Sequence, residues 1–330
     1  MGFDSCLTRV VSSTTSLTLN LTIPDWTEML AGYIPLKQKK PGWTVYKLPR
    51  PQYYLEHQAP SHGGLNGKQS NMSTLDDNLL LASVNTRLAL WDPIICQPRG
   101  STAIIIPYRN REQHLRALLR NLPAFLIYQN VRFTIFVIEQ MADTRFNRAL
   151  LMNIGFLESQ RIGTFDCYVF HDVDLIPADM RVPYGCGSHP VHLAASMNKF
   201  DYRLPYPEYV GGVLAMSRDQ FIAVHGFSNY YFGWGGEDDD MFHRIKQRNF
   251  TVVRPNITKY FMIRHGSDKY NEVNKENIKI LKRMRKKVQE EDGYLQADYR
   301  VLTAGSRYEG LVYWIEVDVP ETRLVAERVS

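Results

Sequence analysis

Two acidic clusters carry most of the chemistry this sequence can do: Asp172-Val173-Asp174 within YVFHDVDLIP, and Glu237-Asp238-Asp239-Asp240 within FGWGGEDDD. The first follows Tyr168, Val169 and Phe170, an apolar run that reads as a buried strand, so its carboxylates emerge at the strand's C-terminal edge. In open α/β sheets that edge is where ligands bind. Carboxylates there are costly without a compensating cation or donor, and Asp-x-Asp suits a hard divalent metal that in turn holds phosphate. Taken alone, the motif fits an exposed turn just as well. The second cluster shifts the balance. Gly233, Gly235 and Gly236 allow a loop that moves or approaches a ligand closely, and Trp234 on such a loop is expensive to expose without purpose. Four adjacent carboxylates repel one another unless they face a cation, a sugar or a helix dipole. Asp238 to Asp240 can open a helix through Met241, Phe242 and Ile245 while one acid faces a cleft as a general base.

Further candidates sit at other strand ends. Tyr108-Arg109-Asn110-Arg111 follows the run Ile104-Ile105-Ile106-Pro107, and an aromatic ring with two guanidiniums can stack a base and pair with phosphate oxygens. The same arginines could simply cap a helix. Neither a G-x-G-x-x-G nor a G-x-x-x-x-G-K follows this strand, which excludes a Rossmann fingerprint and a P-loop. His265, closing Met262-Ile263-Arg264-His265, is a candidate metal ligand, and Met262 would be an unusual thioether one.

The elements that must position these residues read as βαβ units. Short apolar runs at 103–106, 133–138 and 168–170 alternate with helical spacing over 112–122 and 147–159, which argues an α/β fold with a mostly parallel sheet. Residues 209–216 read as another strand and 218–225 as a short helix, while 244–254 and 300–319 supply further strand or helix material. Residues 1–95 read as a variable or partly wrapping segment with one helical candidate at 74–91, and 96–330 as the main folded unit. The 330 residues are 44% hydrophobic and 22% charged, an ordinary globular balance. The formal charge of +5 is mild and its basic residues interleave with acidic ones, so nucleic acid is not an expected partner. No apolar run approaches the ~18 residues that a membrane span needs, and no secretory or acylation signal opens the chain. Taken literally the chain is soluble and untargeted. It could equally be the lumenal part of an anchored protein, which the sequons at Asn20, Asn71, Asn249 and Asn256 favour slightly. Cys6, Cys96, Cys167 and Cys186 form no C-x-x-C pair, against a structural zinc site. A Cys167–Cys186 bridge would close a loop of about 20 residues, worth ~3 kcal/mol; two free buried thiols are the alternative.

The run from Ala103 to Val319 resembles the β-1,4-galactosyltransferases, inverting glycosyltransferases of the GT-A fold, through IIIPYRNR, FNRA, FHDVDLIP, LPYPEYVGGV, GWGGEDDD and MIRH in family order. The resemblance implies that Pro107, Tyr108, Arg109, Arg111, Phe146, Arg148, Asp172, Val173, Lys199, Tyr209 and Gly212 line the UDP-sugar site. It implies that Asp174, Met262 and His265 bind manganese, and that Tyr206, Gly236 and Asp239 meet the acceptor sugar. Glu237 and Trp234 would touch donor and acceptor, with Asp238 as the base. Asn277-Ile278 replaces the Arg-Phe acceptor pair of mammalian-type members, while Gly236 and Met262 argue against the xylose-acceptor branch. A Cys167–Cys186 disulfide is implied, as is a pairing of Cys96 with Cys6. Tyr209 occupies the position beside the donor's C2 substituent, where N-acetylgalactosamine-transferring relatives carry Ile or Leu. The expected activity is transfer of galactose from UDP-galactose to the 4-hydroxyl of a GlcNAc-terminated glycoconjugate in the Golgi lumen, with membrane attachment only through a family-type anchor outside this chain. N-acetylgalactosaminyl transfer, a metal-dependent phosphohydrolase and a non-catalytic sugar-binding module are the alternatives.

Overall fold

A computed structural model describes residues 100–320 apart from 130, 142, 180, 267–270, 284–288, 290 and 309. The N-terminal segment, its helical candidate at 74–91, and the Cys6–Cys96 pairing lie outside the described residues. The chain opens on β1 (Ser101–Tyr108), α1 (Glu112–Tyr128), β2 (Arg132–Gln140), α2 (Arg148–Ile162) and β3 (Cys167–His171). β1 pairs in parallel with both β2 and β3, as βαβ crossovers require. All of β1 is buried because a helix covers each face. Ile104 and Ile106 pack with Leu115, Leu118 and Leu122 of α1, while Ala103 and Ile105 pack with Leu150, Leu151 and Ile154 of α2. A strand buried on both faces loses its polar alternation, which is why it reads as a continuous apolar run. α1 runs past the expected limit at residue 122 and through Pro123, because Phe125 and Leu126 extend the same buried stripe.

After β3 come β4 (Leu175–Pro177), β5 (Val191–His192), a 3₁₀ turn (Asn198–Phe200), β6 (Val213–Ser217), α3 (Arg218–Ala223), α4 (Glu237–Gln247), β7 (Tyr260–Met262), α5 (Lys275–Arg283), β8 (Arg300–Arg307) and β9 (Val312–Asp318). The main sheet has the order β5-β6-β3-β1-β2-β9-β8. Its four central strands, β3, β1, β2 and β9, are mutually parallel, and β5, β6 and β8 add antiparallel edges. The parallel expectation therefore holds for the centre. The edges reverse because β8 and β9 form a hairpin, and because β6 returns along β3 without a crossover helix. Between residues 244 and 254, helix ends at Gln247 and strand character shrinks to an isolated Val191–Val253 bridge. Asn249 at φ 60° turns the chain out of the helix.

Cys167 and Cys186 are disulfide-bonded, with Cα atoms 5.5 Å apart, tying the start of β3 to the segment beyond β4. β4 and β7 make a separate two-stranded sheet that sets Met262 opposite Leu175, one residue beyond Asp174. Among the described residues no helix is long and apolar enough to cross a membrane.

Candidate active site

The C-terminal ends of β1 and β3, the N-termini of α2 and α4, and β7 converge on a cavity of about 620 Å³. Every site residue named from the sequence lines it except Tyr108. The Tyr108 ring is turned into the core, edge-on to Trp314 at 5.1 Å and 6% exposed, so it is not available to stack a base. Arg109 Nη1 donates to Thr144 O at 2.6 Å and its guanidinium lies 5.2 Å from the Phe146 ring centre, which places that ring on the cavity wall.

Arg148 joins the two acidic clusters. It opens α2, whose N-cap Asn147 accepts from Leu150 N. Its Nε donates to Asp172 Oδ1 at 2.5 Å and its Nη1 lies 3.5 Å from Glu237 Oε1. The adjacent carboxylates hold this guanidinium firmly protonated. Even so, burial pushes Asp172 up to about 6. Asp238 is pushed up to about 7, first by burial and then by the charges of Glu237 and Asp239. Glu237 Oε2 is buried with no hydrogen-bond partner in the protein. An acid raised to neutrality beside an unsatisfied carboxylate oxygen is suited to accept a proton from a bound hydroxyl.

The acids stand on α4 because the glycines let the chain turn sharply into it. Gly236 is the N-cap at φ 92°, a conformation other residues resist. The helix dipole then favours Glu237 to Asp240 in its first turn. α4 is anchored from beneath by Arg244, which is 1% exposed. Its Nε donates to Asp240 Oδ2 at 2.6 Å, and its Nη atoms reach Asp292 Oδ2 at 3.2 Å and Asp292 O at 2.8 Å. Asp239 Oδ1 accepts from the Tyr206 hydroxyl at 2.9 Å. The Trp234 loop is laced to the segment before α5: Trp234 N donates to Glu272 O, Asn274 N to Trp234 O, and Asn277 Nδ2 to Gly235 O. Asn277 is thereby buried, its Oδ1 unpartnered, while Ile278 and the Trp234 indole remain exposed at the cavity.

Asp174, Met262 and His265 line the same cavity. Asp174 O accepts from Ile263 N at 2.8 Å, and Met262 is pinned both ways by Asn198, whose Oδ1 accepts from Met262 N and whose Nδ2 donates to Met262 O. His265 Nδ1 lies 2.8 Å from Gly266 O, an acceptor, and 3.2 Å from Arg111 Nη2, a donor. Its Nε2 lies 3.5 Å from Asp174 Oδ2. The His265 pKa is raised, first by its hydrogen bond to the Asp174 carboxylate. No cluster of three His, Cys, Asp or Glu occurs among the described residues; the Met262 thioether, which lines the same cavity, is the further candidate donor. A carboxylate, an imidazole and a thioether together fit a borderline transition metal better than calcium or magnesium.

Several lining residues had no role assigned from the sequence, including Leu175, Met197, Phe200, Pro205, Gly211 and Asn274. The Gly211-Gly212 pair was a visible signal. The apolar and amide residues carried none.

This arrangement is that of a GT-A-type fold: a parallel βαβ core, with an acidic pair at a strand end and a second acidic group lining one cleft. The comparisons agree. Residues 63–187 match the N-terminal region of glycosyl transferase group 7, and residues 191–266 match the N-terminal domain of galactosyltransferase. The first match opens inside the segment assigned to the variable N-terminal part. β-1,4-Galactosyltransferase 4 of Cricetulus griseus is 45% identical over 64% of this chain and 62% of its own length. β-1,4-Galactosyltransferase 1 of Mus musculus is 43% identical over 74% of this chain and 62% of its own. The alignments thus span less than two thirds of these relatives. The catalytic domain of Drosophila β-1,4-galactosyltransferase 7 in complex with xylobiose superposes with a TM-score of 0.58 at 31% identity, covering 67% of this chain and 94% of that one. A mutant of the same Drosophila enzyme, in complex with manganese, UDP-Gal and xylobiose, superposes with a TM-score of 0.58 at 29% identity. The chain belongs to the β-1,4-galactosyltransferase family of glycosyltransferase group 7.

Proposed function

We propose that this protein transfers galactose from UDP-galactose to the 4-hydroxyl of a terminal GlcNAc, with inversion and with manganese as cofactor. The observation that carries this reading is the cavity itself. It holds an acid pushed up to about 7, Asp238, together with the Asp174, Met262 and His265 donor set, and Arg148 bridges Asp172 and Glu237 within it. Asp238 takes the proton of the acceptor hydroxyl as its oxygen bonds to the galactose anomeric carbon. The bond from that carbon to the diphosphate oxygen breaks, and UDP leaves with the electron pair. A cation held by Asp174, Met262 and His265 would neutralise charge on the departing diphosphate. Arg109, Arg111 and Lys199 add positive charge to the cavity lining, and Trp234 and Tyr206 offer surfaces for the acceptor ring.

The named relatives support the galactosyl reading, and the Drosophila complex supports manganese and UDP-Gal. That neighbour carries xylobiose, so acceptor choice has to be measured. By the family resemblance, Gly236 and Met262 argue against a xylose acceptor. The Cys167–Cys186 disulfide suits an oxidising, lumenal compartment such as the Golgi. The test is release of UDP from UDP-galactose with manganese, alone and with GlcNAc, xylose or glucose. Release stimulated chiefly by GlcNAc supports the reading. Equal release without any sugar would make the protein a hydrolase.

A further inference from the structure

The wall of the cavity that carries Tyr209 is held from behind by two side chains that do not line the cavity. Arg254 Nη2 donates to Pro207 O at 2.7 Å and to Tyr209 O at 3.0 Å. Its Nε points at His192 Nδ1, 3.4 Å away. His192, fully buried on β5, lies with Nε2 2.8 Å from Gly211 O. A carbonyl only accepts, so the ring proton sits on Nε2, and Nδ1 is left to accept from Arg254. Burial pushes the His192 pKa down to about 3, which keeps the ring in this neutral state. The carbonyls of residues 207, 209 and 211 are therefore all fixed by one guanidinium and one imidazole.

The aromatic packing repeats the constraint. The Tyr209 ring is met edge-on by His192 at 5.5 Å, Phe200 at 5.8 Å and Tyr206 at 5.5 Å. In front, there is no slack. A Cβ on Gly211 would lie 2.6 Å from Asp238 Oδ2 and 2.8 Å from Tyr209 Cε2. The turn that Arg254 and His192 hold thus sets both the position of the Tyr209 ring and its spacing from the Asp238 carboxylate. A shift of a few tenths of an ångström there would open or close the space beside the ring.

We propose that Arg254 and His192 are positioning residues that hold the 207–211 turn closed and so make the donor site discriminate against sugars with a bulky C2 substituent. The inference rests on the UDP-sugar reading above and on the family resemblance that sets Tyr209 beside the donor's C2 substituent. Its test is the full chain with Arg254→Gln, Arg254→Lys and His192→Phe, measured with UDP-galactose and UDP-N-acetylgalactosamine. Dissociation constants are read by displacement titration with manganese, and kcat/KM by transfer to GlcNAc. The ratio of N-acetylgalactosamine to galactose donor should rise about tenfold in Arg254→Gln and His192→Phe. Arg254→Lys keeps a donor but loses the fork, and should fall between these variants and the wild type. A loss shared equally by both donors, leaving the ratio unchanged, would mean the pair is merely structural and would overturn the proposal. A wild type that binds both donors but transfers neither would count against the transferase reading, and the ratio of dissociation constants would still decide this one.

Discussion

A carboxyl group poised near neutrality can take a proton without holding it too tightly, and Asp238 meets that condition through burial and the charges on either side. In turnover, log(kcat/KM) should climb with unit slope from acid pH and level off above pH about 7; a flat profile between pH 5 and 8 would remove Asp238 from the base role. The same raised pKa has a stability consequence. Its folded value lies above its unfolded one, so the stabilising contribution is complete below the unfolded value near 3.8 and is lost as pH rises through about 7. Asp238→Asn should therefore melt higher than wild type above pH 7 and no higher below pH 4, by thermal unfolding. Both acidic clusters were legible in the sequence because dense carboxylate at a strand end or after glycines has few inexpensive explanations. The Arg148 bridge between them was not, because its partners Asp172 and Glu237 lie on other elements and meet it only through the fold. Tyr108 was misread for a related reason. Its position after the strand was visible, but the Trp314 that draws its ring into the core comes from β9.

Among the elements, α2 and α4 do most to place the site, and each makes a prediction. α2 lies against the sheet at Gly155, where a Cβ would come 2.4 Å from Ile105 Cγ2 and 3.1 Å from Ile138 Cγ1. Gly155→Ala should cost about 1–3 kcal/mol by overpacking, read as a lower denaturation midpoint with an unchanged m-value. α4 depends on Arg244, and Arg244→Met would strand Asp240 and Asp292 together in the core. The loss should be about 3–5 kcal/mol near neutral pH, shrinking in acid as Asp292, whose pKa burial raises, takes up a proton. Equal losses at both pH values would show that the packing of the side chain, rather than its charge, is what matters. The parallel strands were legible because burial on both faces erases alternation. The antiparallel edges were not, since β5 is only two residues long and β8 is largely exposed, leaving little apolar pattern to read.

For the whole molecule, the site and the remaining surface separate cleanly. Asn249 and Asn256 head Asn-x-Thr sequons, are exposed, and do not line the cavity. Passage through a secretory compartment should leave both glycosylated, as a mass shift reversed by peptide-N-glycosidase and removed stepwise by Asn249→Gln and Asn256→Gln; both residues unmodified after such passage would count against a lumenal site of action. The central claim is that two acidic clusters share one cleft and divide the work, one binding the metal and diphosphate and the other taking the proton. The most direct test measures binding of UDP-galactose with manganese by calorimetry, and turnover with GlcNAc, in Asp238→Asn and Asp174→Ala. Asp238→Asn should bind donor and metal as wild type does while turning over about 10²–10⁴-fold more slowly, and Asp174→Ala should lose both. Undiminished turnover in Asp238→Asn, or undiminished manganese-dependent binding in Asp174→Ala, would contradict that division.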